Sequence, residues 1–252
     1  MKKLFGVVCV LGSLSLAAVA QDSLKVAQSL VAGRAEAAQV LTVPAGCSPC
    51  LWYSGDLDPK NSLSNGEFNA NDESAAIAAQ VMVPFSPTSD GDAAHKHVNV
   101  TSITFNELSV GAPDDLDGGT YEFKTLVSSG NPGVGKPAAC ESVSAVSTGR
   151  SFAGYVEYSY TCSLKKAVKL TIGTNYWVSM LPTFTAGNYA YVSDVEDMPA
   201  PNQYGWGNIT YNTFITSSYF SVNYAPTWGS AGTCGGSGCD QFSVALGGTY
   251  VP

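Results

Sequence analysis

The feature that most constrains the fold of this chain is a succession of short runs rich in β-branched and aromatic residues, each bounded by turn residues. From residue 47 onward these runs occupy residues 51–53, 79–85, 97–110, 120–128, 154–164, 175–181, 190–193, 213–224 and 241–246. Segments such as Asp90-Gly91-Asp92 lie between them, where Gly accepts positive φ and Asp caps its own backbone. There is no internal repeat of propeller or solenoid period. The pattern predicts an all-β fold, an antiparallel β-sandwich.

The run at residues 97–110 contains a predicted β-bulge. Its apolar residues alternate at Val98 and Val100, and the alternation resumes one residue out of phase at Ile103 and Phe105. An extra residue near Thr101 would return the side chains of Ile103 and Phe105 to the face that carries Val98 and Val100.

The run at residues 154–164 is β-branched and aromatic throughout. Alternation along a strand predicts that Tyr155, Glu157, Ser159 and Thr161 share one face, opposite Val156, Tyr158, Tyr160 and Cys162.

The N-terminus predicts secretion. Lysines at positions 2 and 3 precede an apolar run at residues 4–16, and Ala18-Val19-Ala20 forms a small-x-small cleavage site. We expect a signal peptide at residues 1–20, a leader or linker at residues 21–46 and one β-sandwich domain at residues 47–252. No later apolar stretch reaches the roughly 18 residues that span a bilayer, so no membrane contact is expected after cleavage. Periplasmic and extracellular locations stay open.

The cysteines predict local disulfides in an oxidising compartment. Six of the seven follow the signal peptide and fall into neighbouring pairs, Cys47 with Cys50, Cys140 with Cys162, and Cys234 with Cys239. Six cysteines allow about 15 connectivities, and nearest-neighbour pairing is the most economical. A redox-active Cys47-Ser48-Pro49-Cys50 motif is the alternative, but such motifs usually open a helix.

Two metal sites are candidates. Asp114, Asp115 and Asp117 lie within four residues and could place several oxygens around calcium, the metal that the sequence favours. Ordinary solvated acidic turns are the competing interpretation. His95 and His97 could bind copper or zinc, but the sequence names no third ligand.

Charge excludes one class of partner. The formal net charge of −8 disfavours phosphate backbones, so no nucleic-acid partner is expected. Only 13% of the residues are charged, and the polar surface comes mainly from neutral side chains. Self-association of such a weakly charged surface is plausible.

Aromatic residues next to turn-forming residues predict a glycan site. Tyr204, Trp206 and Trp228 stand beside Gly or Pro, and exposed rings next to small residues can stack on sugars. The competing interpretation is that the rings cover the ends of the sandwich.

Several short segments resemble secreted bacterial β-sandwich proteins of unknown function that often carry PEP-CTERM or similar sorting tails. Leu51-Trp52-Tyr53-Ser54-Gly55 is similar to their "LWDNG"-like opening strand, and residues 173–179 resemble their "GTYWVS" strand. Residues 128–133 resemble their G-x-P-G loop, and residues 240–249 their "DFSFALNGT" strand. The resemblance implies a jelly-roll topology and carries over no catalytic residues. This chain ends at residue 252 without such a tail, which favours free secretion over anchoring.

No sequence motif indicates a reaction that this chain would catalyse. The chain has two histidines and no G-x-S-x-G segment, and its acids are too many for any pair to stand out. We therefore expect a non-catalytic surface, matrix or glycan-binding protein, leaving the enzymatic question open. A polysaccharide-active hydrolase or lyase and a structural subunit of an extracellular assembly are the alternatives.

Overall fold

The structure, a computed structural model, describes residues 43–57, 70–72, 77–109, 113–126, 137–185, 190–195, 204–206, 214–217, 229–230 and 241–252. The chain divides into two units, Met1–Ala38 and Gln39–Pro252, and all described residues belong to the second. The predicted signal peptide, most of the leader, Cys234, Cys239 and Trp228 therefore lie outside the described residues.

The described residues form β-strands and no helix. The strands are β1 (Cys50–Tyr53), β2 (Ala70–Asp72), β3 (Ile77–Phe85), β4 (His97–Ser109), β5 (Leu116–Thr125), β6 (Ala138–Ala139), β7 (Ser142–Phe152), β8 (Tyr155–Thr171), β9 (Tyr176–Phe184), β10 (Ala190–Val192), β11 (Asp194–Val195), β12 (Tyr204–Gly205), β13 (Phe214–Ser217), β14 (Gly229–Ser230), β15 (Gln241–Phe242) and β16 (Val244–Val251). The all-β prediction is confirmed. Within the described ranges, no helix is long and apolar enough to cross a membrane.

The strands form two large sheets and one small one. Sheet I has the order β12-β1-β16-β4-β8-β7, with β10 also paired to β4, and sheet II has the order β14-β13-β3-β2-β9-β5-β6. β11 and β15 form a separate two-stranded sheet. The described pairings are antiparallel, apart from a short parallel contact between β2 and β9.

One hydrophobic core is shared by sheets I and II. The ring of Trp52 in sheet I stacks on Phe85 in sheet II with 5.5 Å between centroids. Tyr160 and Phe184 make an edge contact at 5.9 Å between the same two sheets. The four rings are 0 to 1% exposed. Burial of large aromatic side chains on both sheets supplies the main driving force for joining them.

The predicted bulge in β4 is confirmed. In the pairing of β16 with β4, Gly247 lies opposite Ser102 and Gly248 lies opposite Val100, which leaves Thr101 as the extra residue. Val98, Val100, Ile103 and Phe105 consequently all lie in the core. The bulge thus keeps one long strand buried on the same side along its whole length.

Two of the three predicted disulfides lie within the described residues, and both are formed. Cys140, which follows β6 of sheet II, bonds to Cys162 in β8 of sheet I, so this disulfide joins the sheets. Cys47 bonds to Cys50 at the start of β1. The disulfides indicate an oxidising, non-cytoplasmic location.

The end of the predicted leader packs onto sheet I. The carbonyl of Gly46 accepts a hydrogen bond from Ser102 Oγ at 2.9 Å. A Cβ at Gly46 would lie 2.1 Å from Thr161 Oγ1, so only glycine permits this approach. The last residue of the predicted leader therefore contacts β4 and β8.

Candidate functional site

Polar side chains line the face of sheet I that points away from the shared core, called here the outer face. Phe105 and Tyr160 are register partners in the core, so their neighbours Asn106 and Ser159, also partners, point the opposite way. Glu157 lies two residues before Ser159 and shares its face, as the alternation predicted. Asn106 and Glu157 are fully buried, so their polar atoms need partners within the protein.

Asn106 is the centre of a hydrogen-bond network on this face. Its Nδ2 donates to the hydroxyl of Tyr53 and to Ser243 Oγ, both at 2.8 Å. Its Oδ1 accepts from Ser159 Oγ at 2.5 Å. The Tyr53 hydroxyl in turn donates to Asp56 Oδ1 at 2.6 Å. Strands β1, β4 and β8 and the residues before β16 are thereby joined through their side chains.

Arg150 joins the network from the edge strand. Its Nη1 lies 2.6 Å from Asp56 Oδ1, and its Nε lies 2.5 Å from Glu157 Oε2. Thr148 Oγ1 donates to the same oxygen of Glu157 at 2.6 Å. The arginine side chain is 19% exposed, against 1% for Asp56 and 0% for Glu157. The guanidinium therefore forms the outermost part of a mostly buried ionic cluster.

A bulge in β7 brings Arg150 to this position. The pairing of β7 with β8 shifts register between Ser147 and Ser151. Gly149 has a φ of 77°, in the left-handed region that glycine adopts without a steric penalty. Bulges re-aim side chains by bending the strand, and this one turns Arg150 toward Asp56 and Glu157.

Burial and charge shift the pKa values of Tyr53 and Arg150. Burial, followed by the negative charge of Asp56, raises the pKa of the Tyr53 hydroxyl, so it remains a proton donor. Burial by itself would lower the pKa of Arg150, but the charge of Glu157 and that of Asp56 help to raise it. The pair of carboxylates thus holds a permanent cation at the surface of sheet I.

Three aromatic side chains lie on the same face of sheet I as this cluster. Tyr155 and Phe152 are register partners at the end of the β7–β8 hairpin. Tyr191 pairs with Leu108, which pairs on its other side with Glu157, so Tyr191 also lies on the outer face. The rings of Tyr155 and Tyr191 are 6.0 Å apart between centroids, and each residue is half-buried. Arg150, Phe152, Tyr155 and Tyr191 are called the hairpin face below.

A tight turn sets the geometry of the hairpin face. The two residues between β7 and β8, Ala153 and Gly154, have φ values of 50° and 89°. Two positive φ values match the twist of the flanking strands and fix the register of a two-residue hairpin. Phe152 and Tyr155 are therefore held side by side.

Trp206, one of the three predicted glycan residues, is a core residue and not an exposed one. Its side chain is 1% exposed and stacks between Trp52, at 6.4 Å, and Phe85, at 6.0 Å. It belongs to the core, because β12 pairs with β1 and inserts the following ring between the sheets. Only the backbone of Tyr204 is described, and Trp228 lies outside the described residues.

The predicted calcium site is not formed by the residues that the structure describes. Asp114 and Asp115 lie in a turn, whereas Asp117 is part of β5. No three His, Cys, Asp or Glu side chains converge to hold a metal within the described ranges. The backbone carbonyl of Asp115 instead accepts hydrogen bonds from Thr185.

The two histidines likewise contact different groups. His95 Nδ1 lies 3.0 Å from Asp90 Oδ1, and its ring stacks on Tyr250 at 5.5 Å. His97 is the first residue of β4 and lies beside Thr171. The hydrogen bond from His95 lowers the pKa of Asp90, and the same bond raises the pKa of His95. His95 therefore holds an acidic loop against the end of β16.

Arg150, Tyr191 and Asn106 were not identified as site residues from the sequence. One signal for Arg150 was available, since the chain has only two arginines and this one follows a glycine in a weakly charged segment. The convergence of residues 53, 56, 106, 150 and 157 depends on strand pairing between distant segments.

Comparisons with protein-family models, with curated proteins and with solved structures found no match to this chain. Its function is therefore argued from the geometry of the hairpin face and the charged cluster beneath it.

Proposed function

We propose that this chain is a secreted, non-catalytic glycan-binding protein, and that its binding surface is the hairpin face. The observation that carries the proposal is the pair of half-buried tyrosines beside an arginine that two buried carboxylates hold in place. Rings with this exposure can lose further surface to a ligand at little cost in side-chain entropy.

The chemistry of the hairpin face suits a saccharide. The flat rings of Tyr155 and Tyr191 offer apolar surface for the C–H face of a sugar ring. Within the described residues, the contacts of Arg150 use Nε and Nη1. A guanidinium carries five N–H donors, so donors remain for sugar hydroxyls. Because Asp56 and Glu157 fix the guanidinium beforehand, binding loses little of its side-chain freedom.

The first test is retention on polysaccharides. The purified protein would be incubated with a panel of insoluble and soluble polysaccharides, and both retention and new reducing or unsaturated ends would be measured. We expect retention without products, and about tenfold weaker retention for Tyr155→Ala or Tyr191→Ala, the equivalent of about 1.4 kcal/mol. Tyr158→Ala is the matched control, since this half-buried tyrosine lies on the same strand but on the opposite face.

Each other outcome has a defined meaning. Retention that is equal in all three tyrosine variants would remove the hairpin face from the binding site. Formation of products would favour the hydrolase or lyase alternative instead. Absence of both signals across the panel would favour a structural subunit of an extracellular assembly.

The finer features of the fold and the location belong to the same proposal. We propose that sheets I and II form a jelly-roll sandwich, because the chain passes repeatedly between them, with β1 and β4 in sheet I and β3 and β5 in sheet II. The resemblance to secreted bacterial proteins with sorting tails leads to the same topology. An experimental structure would test the topology, and N-terminal sequencing of the exported protein would test cleavage after Ala20.

A further inference from the structure

The edge of sheet I carries a feature that the glycan proposal does not use. β7 is the last strand of sheet I, and within the described part of the chain it pairs only with β8. Its side chains alternate between exposed and half-buried, and Val146 is 54% exposed. Proteins usually protect such edges with charges, prolines or bulges. Residues 142–147 contain no charge and no proline, and the bulge begins only after Ser147.

The backbone of this segment has hydrogen-bonding groups directed away from the sheet. The carbonyls of Ser163 and Glu157 in β8 accept hydrogen bonds from the β7 side. Alternate residues of an antiparallel strand direct their backbone groups to the same neighbour. Ser144 and Val146, opposite Thr161 and Ser159, therefore bond to β8. The groups of Val143, Ala145 and Ser147 point to the free edge.

We propose that this edge pairs with the same edge of a second copy of the chain, in a twofold-symmetric antiparallel arrangement centred on Ala145. A symmetric interface needs a segment that complements itself. With Ala145 facing its counterpart, Val143 lies opposite Ser147 and Ser144 lies opposite Val146 of the second copy. About six backbone hydrogen bonds then form, and no like charges face each other within residues 142–147. The molecular charge of −8 lies elsewhere.

The pairing joins two copies of sheet I into one continuous sheet. Because the hairpin face lies beside β7, each copy brings its own hairpin face to the same extended surface. Two sites on one surface would bind a repeating polymer with avidity. The pairing itself does not depend on the proposed function, and it is tested without polysaccharide.

The experiment measures oligomeric state by sedimentation velocity from about 1 to about 200 µM, a range that covers micromolar dissociation constants. We expect the native protein to shift from monomer to dimer across this range. Ala145→Pro removes the central N–H without removing a bond to β8, and proline is tolerated on the free side of an edge strand. The variant should dimerise at least about tenfold more weakly.

A second variant tests the same interface by charge. Ser144→Lys combined with Val146→Lys places lysines opposite each other across the twofold axis, where like charges destabilise pairing. It should remain monomeric at low salt. Thr249→Lys, at an exposed position of β16, is the matched control and should dimerise like the native protein. Circular dichroism would verify that each variant is folded.

The proposal is overturned if the native protein stays monomeric throughout the range, or if both β7 variants dimerise like it. A dimer that still forms in both β7 variants would be held together by another surface. A native protein that stays monomeric yet captures an extended foreign peptide along β7 would identify the edge as a peptide site.

Discussion

At the residue scale, we expect substitution of Arg150 to lower the free energy of unfolding more than substitution of other surface-accessible residues. Its guanidinium compensates two carboxylates that are 0 to 1% exposed. Arg150→Met leaves both charges buried without their partner, and we expect a loss of about 3 kcal/mol in the free energy of unfolding. Urea denaturation would measure it.

Arg150→Lys is the control for this prediction. An ammonium keeps the charge but cannot present the planar fork that reaches Asp56 and Glu157 together. The decrease in unfolding free energy for Arg150→Lys should be greater than zero and smaller than that for Arg150→Met. A loss for Arg150→Met of about 1 kcal/mol or less, as in an exposed ion pair, would contradict the structural role.

Trp206 gives a second prediction at this scale. Because its ring lies between Trp52 and Phe85 in the core, Trp206→Ala should create a cavity and cost about 3 to 5 kcal/mol of unfolding free energy. Its Nε1 also donates to the Tyr250 hydroxyl at 3.0 Å, a bond that Trp206→Phe would remove with less loss of volume. If Trp206→Ala kept its stability but lost polysaccharide retention, Trp206 would be a glycan-binding residue, as the sequence predicted.

At the element scale, the loop between β3 and β4 should respond to pH. The pKa of His95 is raised mainly by its hydrogen bond with Asp90, and the pKa of Asp90 is lowered by the same bond. The stabilisation of the loop by His95 is present below the ordinary histidine pKa of 6.5. It is lost as the pH rises through the raised pKa of His95. The aspartate contribution is present above its ordinary pKa of 3.8 and is lost as pH falls. The loop is therefore held best between these two values.

NMR titration of the His95 ring would test this prediction. We expect a pKa above 6.5 in the native protein and a lower value in Asp90→Asn, since the variant lacks the charge at 3.0 Å. Equal His95 titration in both proteins would show that the loop contact does not persist in solution.

At the scale of the whole molecule, the two described disulfides should differ in their effect on stability. Cys140–Cys162 spans 22 residues in sequence and joins sheet I to sheet II, whereas Cys47–Cys50 spans 3. The loop-entropy relation gives about 3.4 kcal/mol for the long loop and about 2 kcal/mol for the short one. Replacing each pair by serines and measuring urea unfolding should reproduce this order. A reversed order would mean that strain or residual unfolded structure dominates.

Much of the fold could be predicted from local sequence. Side-chain alternation located the cores of β1, β3, β4, β8 and β9 and placed Glu157 and Ser159 on one face. The phase slip at Thr101 marked the bulge. β8 extends to Thr171, beyond the predicted end at residue 164, because Lys165, Lys166 and Lys169 interrupt the apolar pattern while the backbone still pairs with β4. β7 was absent from the predicted strands, since its serines and small residues give a weak alternation.

Local sequence specified most of the segments that become strands, the direction in which their side chains alternate and two of the local cysteine pairs, because these depend on neighbours in the chain. Only the tertiary structure decided that Trp206 is a core residue, that the aspartates at 114, 115 and 117 do not converge, and that Arg150 reaches Asp56 and Glu157. These outcomes depend on which distant strands pair and in which register. Local periodicity leaves that choice open, and it is made by burial of the shared core and by the requirement that buried polar groups find partners.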